Sequence, residues 1–172
     1  MYALDARTGA VRWRRQTGGA VDSTPALAGG VLYIGSDDHR VYALNAATGT
    51  VRWTLRTGKA VVSSPFVHAG VVYVGSDDGD LYAITSSGRK LWACSTGGAI
   101  HSSPVFYRGV VYVGSDDGKI YAIAAATGVV RWAHQTGGEV QSTPVVAGGS
   151  VYVGSDNNEV LKMPAATAGP GG

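Results

Sequence analysis

The fold is decided by residues 60–97, which read AVVSSPFVHAGVVYVGSDDGDLYAITSSGRKLWACSTG, because the same pattern recurs on both sides of this stretch. Tryptophan occurs only at positions 13, 53, 92 and 132, so its spacings are 40, 39 and 40 residues. A Gly-Ser-Asp triplet keeps the same step, at residues 35–37, 75–77, 114–116 and 154–156. A fixed period of this length indicates a repeat architecture.

Each repeat divides into four runs with strand character. In the quoted copy they are Val61–Val67, Val71–Val74, Leu81–Ile84 and Lys90–Ala93, which are rich in β-branched and aromatic residues. The Gly-Ser-Asp-Asp-Gly stretch at 75–79 supplies residues that tolerate the positive φ of a hairpin turn. The second and third runs are apolar on both faces, so each sheet must be covered on both sides. Stacking four-stranded antiparallel sheets around an axis provides that cover, and the sequence therefore predicts an all-β chain of β-propeller blades.

The predicted blades do not coincide with the ends of the chain. A strand pair at residues 1–16 comes first, and three full blades follow at about 20–57, 60–96 and 99–136. A partial blade at 138–163 comes last. Residues 164–172 are rich in Ala, Gly and Pro, and they are predicted to form a disordered tail.

Three segments resemble the PQQ-like, or quinoprotein-type, repeat, whose motif is Ala-x-Asp-x-x-Thr-Gly-x-x-x-Trp. They are Ala3–Trp13, which matches the motif fully, Ala43–Trp53 and Ala122–Trp132. The resemblance implies a propeller of usually eight blades, so about four repeats make half a propeller. It also implies that the tryptophans dock between neighbouring blades, which assigns an interblade role to Trp13, Trp53, Trp92 and Trp132. A tryptophan that recurs once per blade is independently expected to be core.

The resemblance leaves two classes of function open. One is a quinoprotein-type redox enzyme or a PQQ-binding fragment of such an enzyme. The family's dehydrogenases place a vicinal cysteine pair over the quinone and hold calcium with acidic and amide side chains, whereas this chain has a single cysteine, Cys94. We therefore predict no cofactor, no metal and no catalytic residue. The other class, which we favour, is a non-catalytic scaffold for protein or ligand binding, such as a sensor domain or a periplasmic assembly module.

The Gly-Ser-Asp-Asp-Gly stretches also resemble ion-binding loops superficially. Residues 114–119 imitate a P-loop, but the stretch is one residue short, Ile120 stands where Ser or Thr is required, and no helix is predicted to follow. We interpret these stretches as hairpin turns. The histidines at 39, 68, 101 and 134 occupy four different repeat positions, so they form no repeated cluster.

One position in the first strand varies although its neighbours repeat. A serine is constant there, at 23, 63, 102 and 142. The residues just before these serines are Asp22, Val62, His101 and Gln141. First strands line the central channel in propellers of this family, so these four residues are candidates for a ligand-facing ring. The alternative is that they are solvent-facing positions without a role.

Composition narrows the choice of partners. The net charge is +2 and the longest basic run is Arg14–Arg15, which leaves no electrostatic footprint for nucleic acid. No stretch approaches the length of a membrane span, and residues 1–15 lack the apolar segment of a signal peptide. The family resemblance suggests an extracytoplasmic or periplasmic location, but the sequence itself leaves the compartment unknown.

The incomplete blades at the two ends predict how the ring closes. The N-terminal pair supplies a third and a fourth strand, and the last blade lacks a fourth strand. Exchange between two chains gives an eight-bladed homodimer in which Val11–Arg15 completes the partner's last blade, whereas exchange within one chain gives four blades. Residues 2–4 and 160–163 then compete for one third-strand position. We expect residues 160–163 to yield, because Lys162 replaces a small alanine.

Overall fold

The computed structural model describes residues 1–166, and every regular element in that range is a β-strand. The N-terminal hairpin consists of β1 (Tyr2–Leu4) and β2 (Val11–Arg14). Blade I consists of β3 (Ala26–Ala28), β4 (Val31–Ser36), β5 (Arg40–Asn45) and β6 (Val51–Arg56). Blade II consists of β7 (Phe66–His68), β8 (Val71–Gly75), β9 (Asp80–Thr85) and β10 (Lys90–Ser95). Blade III consists of β11 (Val105–Tyr107), β12 (Val110–Ser115), β13 (Lys119–Ala124) and β14 (Val130–Gln135). The C-terminal sheet consists of β15 (Val145–Ala147), β16 (Ser150–Ser155) and β17 (Glu159–Pro164).

The five sheets contain two, four, four, four and three strands, and neighbouring strands pair antiparallel in chain order. This arrangement confirms the predicted all-β half-propeller. The register is the same in each blade, with a tyrosine of the second strand opposite a small alanine of the third, as for Tyr33 and Ala43 or Tyr112 and Ala122. The C-terminal sheet keeps this register, but Tyr152 lies opposite Lys162.

The core lies between blades rather than within them. One hydrophobic cluster joins Val41 and Ala43 of blade I to Val72 and Ile84 of blade II, and all four are fully buried. Equivalent clusters join blade II to blade III and blade III to the C-terminal sheet. This sharing of core residues explains why the central strands are apolar on both faces.

The first strands are shorter than the sequence predicted. In blade II the strand begins at Phe66, not at Val61. Pro65 has no N–H to donate to a ladder, and the Ser63 hydroxyl accepts the Gly75 N–H at 3.1 Å in place of a backbone carbonyl. The segment before each first strand is therefore attached by a serine side chain, which accounts for the constant serine.

The folded part of the chain extends beyond the predicted boundary at residue 164. Pro164 ends β17, and the Ala165 N–H donates to the Gly149 carbonyl at 2.8 Å. The Tyr112 hydroxyl also donates to the Ala166 carbonyl at 3.2 Å. Residues 164–166 thus continue the third-strand pattern of the full blades, and the rest of the predicted tail lies outside the described residues.

Candidate functional sites in the channel and on the two open faces

The short first strands are innermost in the half-ring, because β3, β7, β11 and β15 contact one another in sequence. Hydrogen bonds link the segments that precede them from blade to blade. The Thr24 N–H donates to Ser64 Oγ at 2.8 Å, and the Ser64 N–H donates to Ser103 Oγ at 3.1 Å. The serines on this inner rim thus act in the backbone network of the channel wall.

The four residues predicted to face the channel have different surroundings. Asp22 and Gln141 are exposed, whereas Val62 and His101 are half-buried. The Gln141 side-chain amide donates to the Glu139 carboxylate at 3.0 Å, in the segment before β15. Of the four, His101 is the residue that the structure brings to acidic groups of two different blades.

His101 lies between two carboxylates that come from consecutive Gly-Ser-Asp triplets. Its Nε2 is 3.1 Å from Asp77 Oδ1 of blade II, and its Nδ1 is 3.2 Å from Asp116 Oδ2 of blade III. Burial raises the pKa of Asp77; His101 opposes this shift, and the carboxylates of Asp37 and Asp116 add to it. The aspartates that end these triplets therefore form an acidic group around His101, a grouping that sequence reasoning missed.

The aspartate that directly follows the triplet in the three full blades has a structural role. Asp117 Oδ2 accepts the Gly97 N–H at 3.0 Å and the Tyr121 hydroxyl at 2.5 Å. Asp78 makes the same two contacts, with Gly58 and Tyr82. These bonds tie each hairpin to the Thr-Gly segment that enters the blade, so the stretches interpreted as turns are hairpin turns. Among residues 1–166, no group of three or more His, Cys, Asp or Glu side chains is arranged to hold a metal ion.

The tryptophans lie at the junctions between blades, each half-buried. The Trp13 indole N–H donates to the Ala46 carbonyl at 2.9 Å, and the Trp92 indole N–H donates to Ala125 at 3.0 Å. Trp53 makes the corresponding bond to Ser86 at 2.9 Å. Trp132 packs against the hydrophobic cluster that joins blade III to the C-terminal sheet. The rings of Trp13, Trp53 and Trp92 thus each bond to the turn after the third strand of the next sheet along the chain.

The N-terminal hairpin presents an open face. Side chains alternate along a strand, so Met1 packs against blade I whereas Tyr2 and Leu4 point away from it and are exposed. Beside them lies an open cleft of about 830 Å³ lined by residues that include Arg14, Arg15 and Val21. The cleft thus lies between the start of β1 and the segment that leads from β2 into blade I.

The C-terminal sheet presents the opposite open face. Leu161 and Met163 pack against blade III, whereas Val160 and Val145 are exposed on the other side. Lys162 lies over the Tyr152 ring, with its Nζ 5.8 Å from the ring centroid. This face has the apolar side chains of a blade junction, and no other sheet formed by residues 1–166 covers it.

The single cysteine, Cys94, does not form a reactive site. Cys94 is buried on β10, and burial raises the pKa of its thiol, an effect that the charge of Asp80 reinforces. A raised thiol pKa lowers the fraction of thiolate, which is the reactive form. No helix in the described part of the chain is long and apolar enough to cross a membrane.

Repeated four-stranded sheets around a channel, joined by docked tryptophans, define a PQQ-like repeat β-propeller, present in this chain as half a ring. The chain belongs to the family described as outer membrane protein assembly factor BamB, whose model matches residues 1–170. Among curated proteins, none matches the chain by sequence.

Solved structures share the fold at low sequence identity. BamB from Moraxella catarrhalis superposes with a TM-score of 0.79 at 20% identity, and the match covers 91% of this chain and 50% of that one. The chain thus spans about half the length of that protein. The computationally designed Ika8 protein gives a TM-score of 0.85 at 18% identity over 95% of this chain and 52% of that one. The designed Ika4 protein gives 0.79 at 19% identity, covering 88% and 94% respectively.

Proposed function

We propose that this chain is a non-catalytic protein-interaction scaffold whose working form is an eight-bladed ring made of two copies. The family to which it belongs is described as an assembly factor, which supports a protein partner rather than a small-molecule reaction. The group formed by His101 between Asp77 and Asp116 is a candidate contact for that partner.

The observation that carries the proposal is the exposure of junction residues at the two ends. Val160 is 81% exposed, although Val41, Leu81 and Ile120, at the same place in the full blades, are at 0%. At the other end Tyr2 is 65% exposed, whereas the equivalent Tyr42 is at 7%. Soluble proteins rarely leave such apolar faces uncovered, and the two faces are of the two kinds that meet at every internal junction.

Strand number and area both favour closure by a second copy. Residues 1–166 form seventeen strands, so this range in two copies has thirty-four, two more than the thirty-two of eight four-stranded blades. A blade face of four strands about 4.8 Å apart and roughly 18 Å long covers about 350 Å². Two junctions with two faces each then bury on the order of 1,400 Å², above the roughly 1,000 Å² expected of a specific interface.

The association is tested by light scattering on the full chain at micromolar concentration. We expect twice the chain mass of 17.6 kDa, about 35 kDa. A stable monomer would contradict the two-copy ring, and a series of larger species would indicate open-ended polymers or completion by another polypeptide. Removing residues 1–15 deletes the exchanged hairpin, so we expect that variant to aggregate or to give an unstable monomer.

The non-catalytic assignment is tested by incubating the chain with PQQ and Ca²⁺. We expect the absorption spectrum to equal the sum of the separate spectra. A stable chromophore bound in stoichiometric amount would contradict the scaffold and favour the quinoprotein alternative.

A further inference from the structure

At each internal junction, the glycine of the Gly-Ser-Asp triplet forms a seat for the residue that opens the next blade. A Cβ built on Gly35 would lie 2.3 Å from the Val61 carbonyl oxygen, and one on Gly114 would lie 2.2 Å from that of Val140. Atoms do not approach this closely, so only glycine fits. The seat is therefore defined by the backbone of the incoming residue as well as by its side chain.

The last glycine of the series has an empty seat. A Cβ on Gly154 would meet nothing closer than Ser142 of its own sheet, whose Oγ would be 3.5 Å away. The difference from Gly114 arises because, among residues 1–166, no blade packs on the outer side of the C-terminal sheet. Gly154 thus keeps the geometry of a junction without the residue that fills it.

The complementary residue lies at the other end of the chain. Val21 has the sequence position of Val61, Ile100 and Val140, which are all at 0% exposure, but Val21 itself is only half-buried. The N–H groups of Val61 and Val140 donate to the preceding blade's Ser36 and Ser115 carbonyls, at 3.2 and 3.1 Å. By the same pattern, the glycine that contacts Val21 would come from a preceding sheet like the one that contains Gly154.

We propose that Val21 of a second copy fills the seat at Gly154 and donates its N–H to the Ser155 carbonyl. This inference rests on the proposed two-copy ring and assigns the residues that close it. The occupant is a second copy because the empty seat and the unfilled opening residue belong to the same chain and repeat a contact that this chain makes three times internally.

A second pair of residues fixes which strand is exchanged. Glycines that receive a tryptophan from the preceding blade are in close contact with its ring, as Gly49 with Trp13 and Gly128 with Trp92, where a Cβ would lie 2.6 and 2.7 Å from ring carbons. Gly9 has the same motif position, but a Cβ built there would meet nothing within 4 Å. Trp132 of the second copy docks on Gly9 when the hairpin β1–β2 takes the third and fourth positions beside β16, and β17 is then released.

The seat is tested with Gly154→Ala, and Gly114→Ala is the matched control from the preceding blade. Neither glycine has a positive φ, so the substitutions differ only in what surrounds the new methyl group. We expect Gly154→Ala to keep the wild-type circular dichroism and the wild-type unfolding midpoint under monomeric conditions. We expect it to raise the dimer dissociation constant, measured by sedimentation over a dilution series, by about 10- to 100-fold. Gly114→Ala should instead lower the unfolding midpoint at every concentration.

The outcomes separate the inference from the proposed function. A dimer of Gly154→Ala with the wild-type dissociation constant would overturn the Gly154 seat while leaving a two-copy protein in place. A wild-type chain that stays monomeric would overturn both. If Gly154→Ala fails to fold, Val21→Ala decides, since it should weaken the dimer by about tenfold and an unchanged constant would refute the contact. Hydrogen exchange tests the strand exchange: the β17 amides should exchange faster in the dimer than in the monomer, and equal protection would refute release of β17.

Discussion

Replacing Gly128 by alanine should destabilise the chain through the tryptophan that docks on it. Gly128 has a φ of +74°, and a Cβ there would lie 2.7 Å from Trp92 Cδ2 and 2.9 Å from two further ring carbons. The indole is also held by its N–H bond to Ala125, at 3.0 Å, so it cannot retreat without losing that bond. The substitution therefore adds a steric cost to a backbone cost.

The two costs can be separated with Gly148→Ala as a control. Gly148 also has a positive φ, +55°, but a Cβ there would meet nothing within 4 Å. Alanine in the left-handed region costs about 1–2 kcal/mol at either position. Overpacking against a fixed side chain adds about 1–3 kcal/mol. We thus expect Gly128→Ala to lose about 2–5 kcal/mol and Gly148→Ala only about 1–2 kcal/mol.

The assay is urea unfolding followed by far-UV circular dichroism at one fixed protein concentration. In a Trp92→Ala background the ring is absent, so Gly128→Ala should then cost no more than Gly148→Ala. Trp92→Ala alone should cost about 3–5 kcal/mol, from roughly 100–150 Å² of lost apolar contact and one lost hydrogen bond. If Gly128→Ala and Gly148→Ala differ by less than about 0.5 kcal/mol, within the additivity expected of independent sites, the tryptophan does not hold the junction.

Three further predictions concern single side chains. Burial and the hydrogen bond to Asp117 raise the pKa of Tyr121 to about 12. The stabilisation from the protonated hydroxyl is therefore complete below about pH 10, the ordinary tyrosine pKa, and is lost as the pH rises towards 12. Tyr121→Phe should reduce the fall of the free energy of unfolding in urea between about pH 10 and 12, and an unchanged fall would contradict this prediction. His39 has a φ of +66° where blade II has Gly79, so His39→Gly should raise the free energy of unfolding by about 0.5–1 kcal/mol, and a loss would show that the side chain contributes more than the strain. Cys94 should react slowly with a thiol reagent in the native protein and much faster in urea, whereas equal rates would mean that the thiol is accessible.

The repeat is sufficient to predict the fold because each blade buries the same residue types against its neighbours. Tyrosine opposite alanine, a turn of Gly-Ser-Asp and one tryptophan per period specify strand order and register without information from elsewhere in the chain. The first strands were predicted too long because Val61 and Val62 have strand composition, although Ser63 and Pro65 replace ladder hydrogen bonds by a side-chain bond. The amino-acid composition of a segment does not show that a side chain takes the place of backbone hydrogen bonds.

The candidate sites were less accessible to sequence reasoning because they depend on which blades meet. His101 was singled out as a variable position, but its two carboxylate neighbours come from residues 24 positions before it and 15 after it, on two different blades. The Asp-Asp pairs at 37–38, 77–78 and 116–117 are predicted to lie in turns. The second aspartate of these pairs does hold its turn, as Asp78 and Asp117 show. The spacing alone does not separate the aspartates that lie beside His101 from those that hold the hairpins.

The most direct test of the account is a crystal structure of the chain, in which the blades around the central axis are counted. The account predicts two copies related by a twofold axis along the channel, eight blades, and Val21 of each copy seated on Gly154 of the other. A four-bladed ring closed within one chain by pairing of β2 with β17 would contradict it. An open half-ring whose end faces stay bare in every copy would contradict it as well.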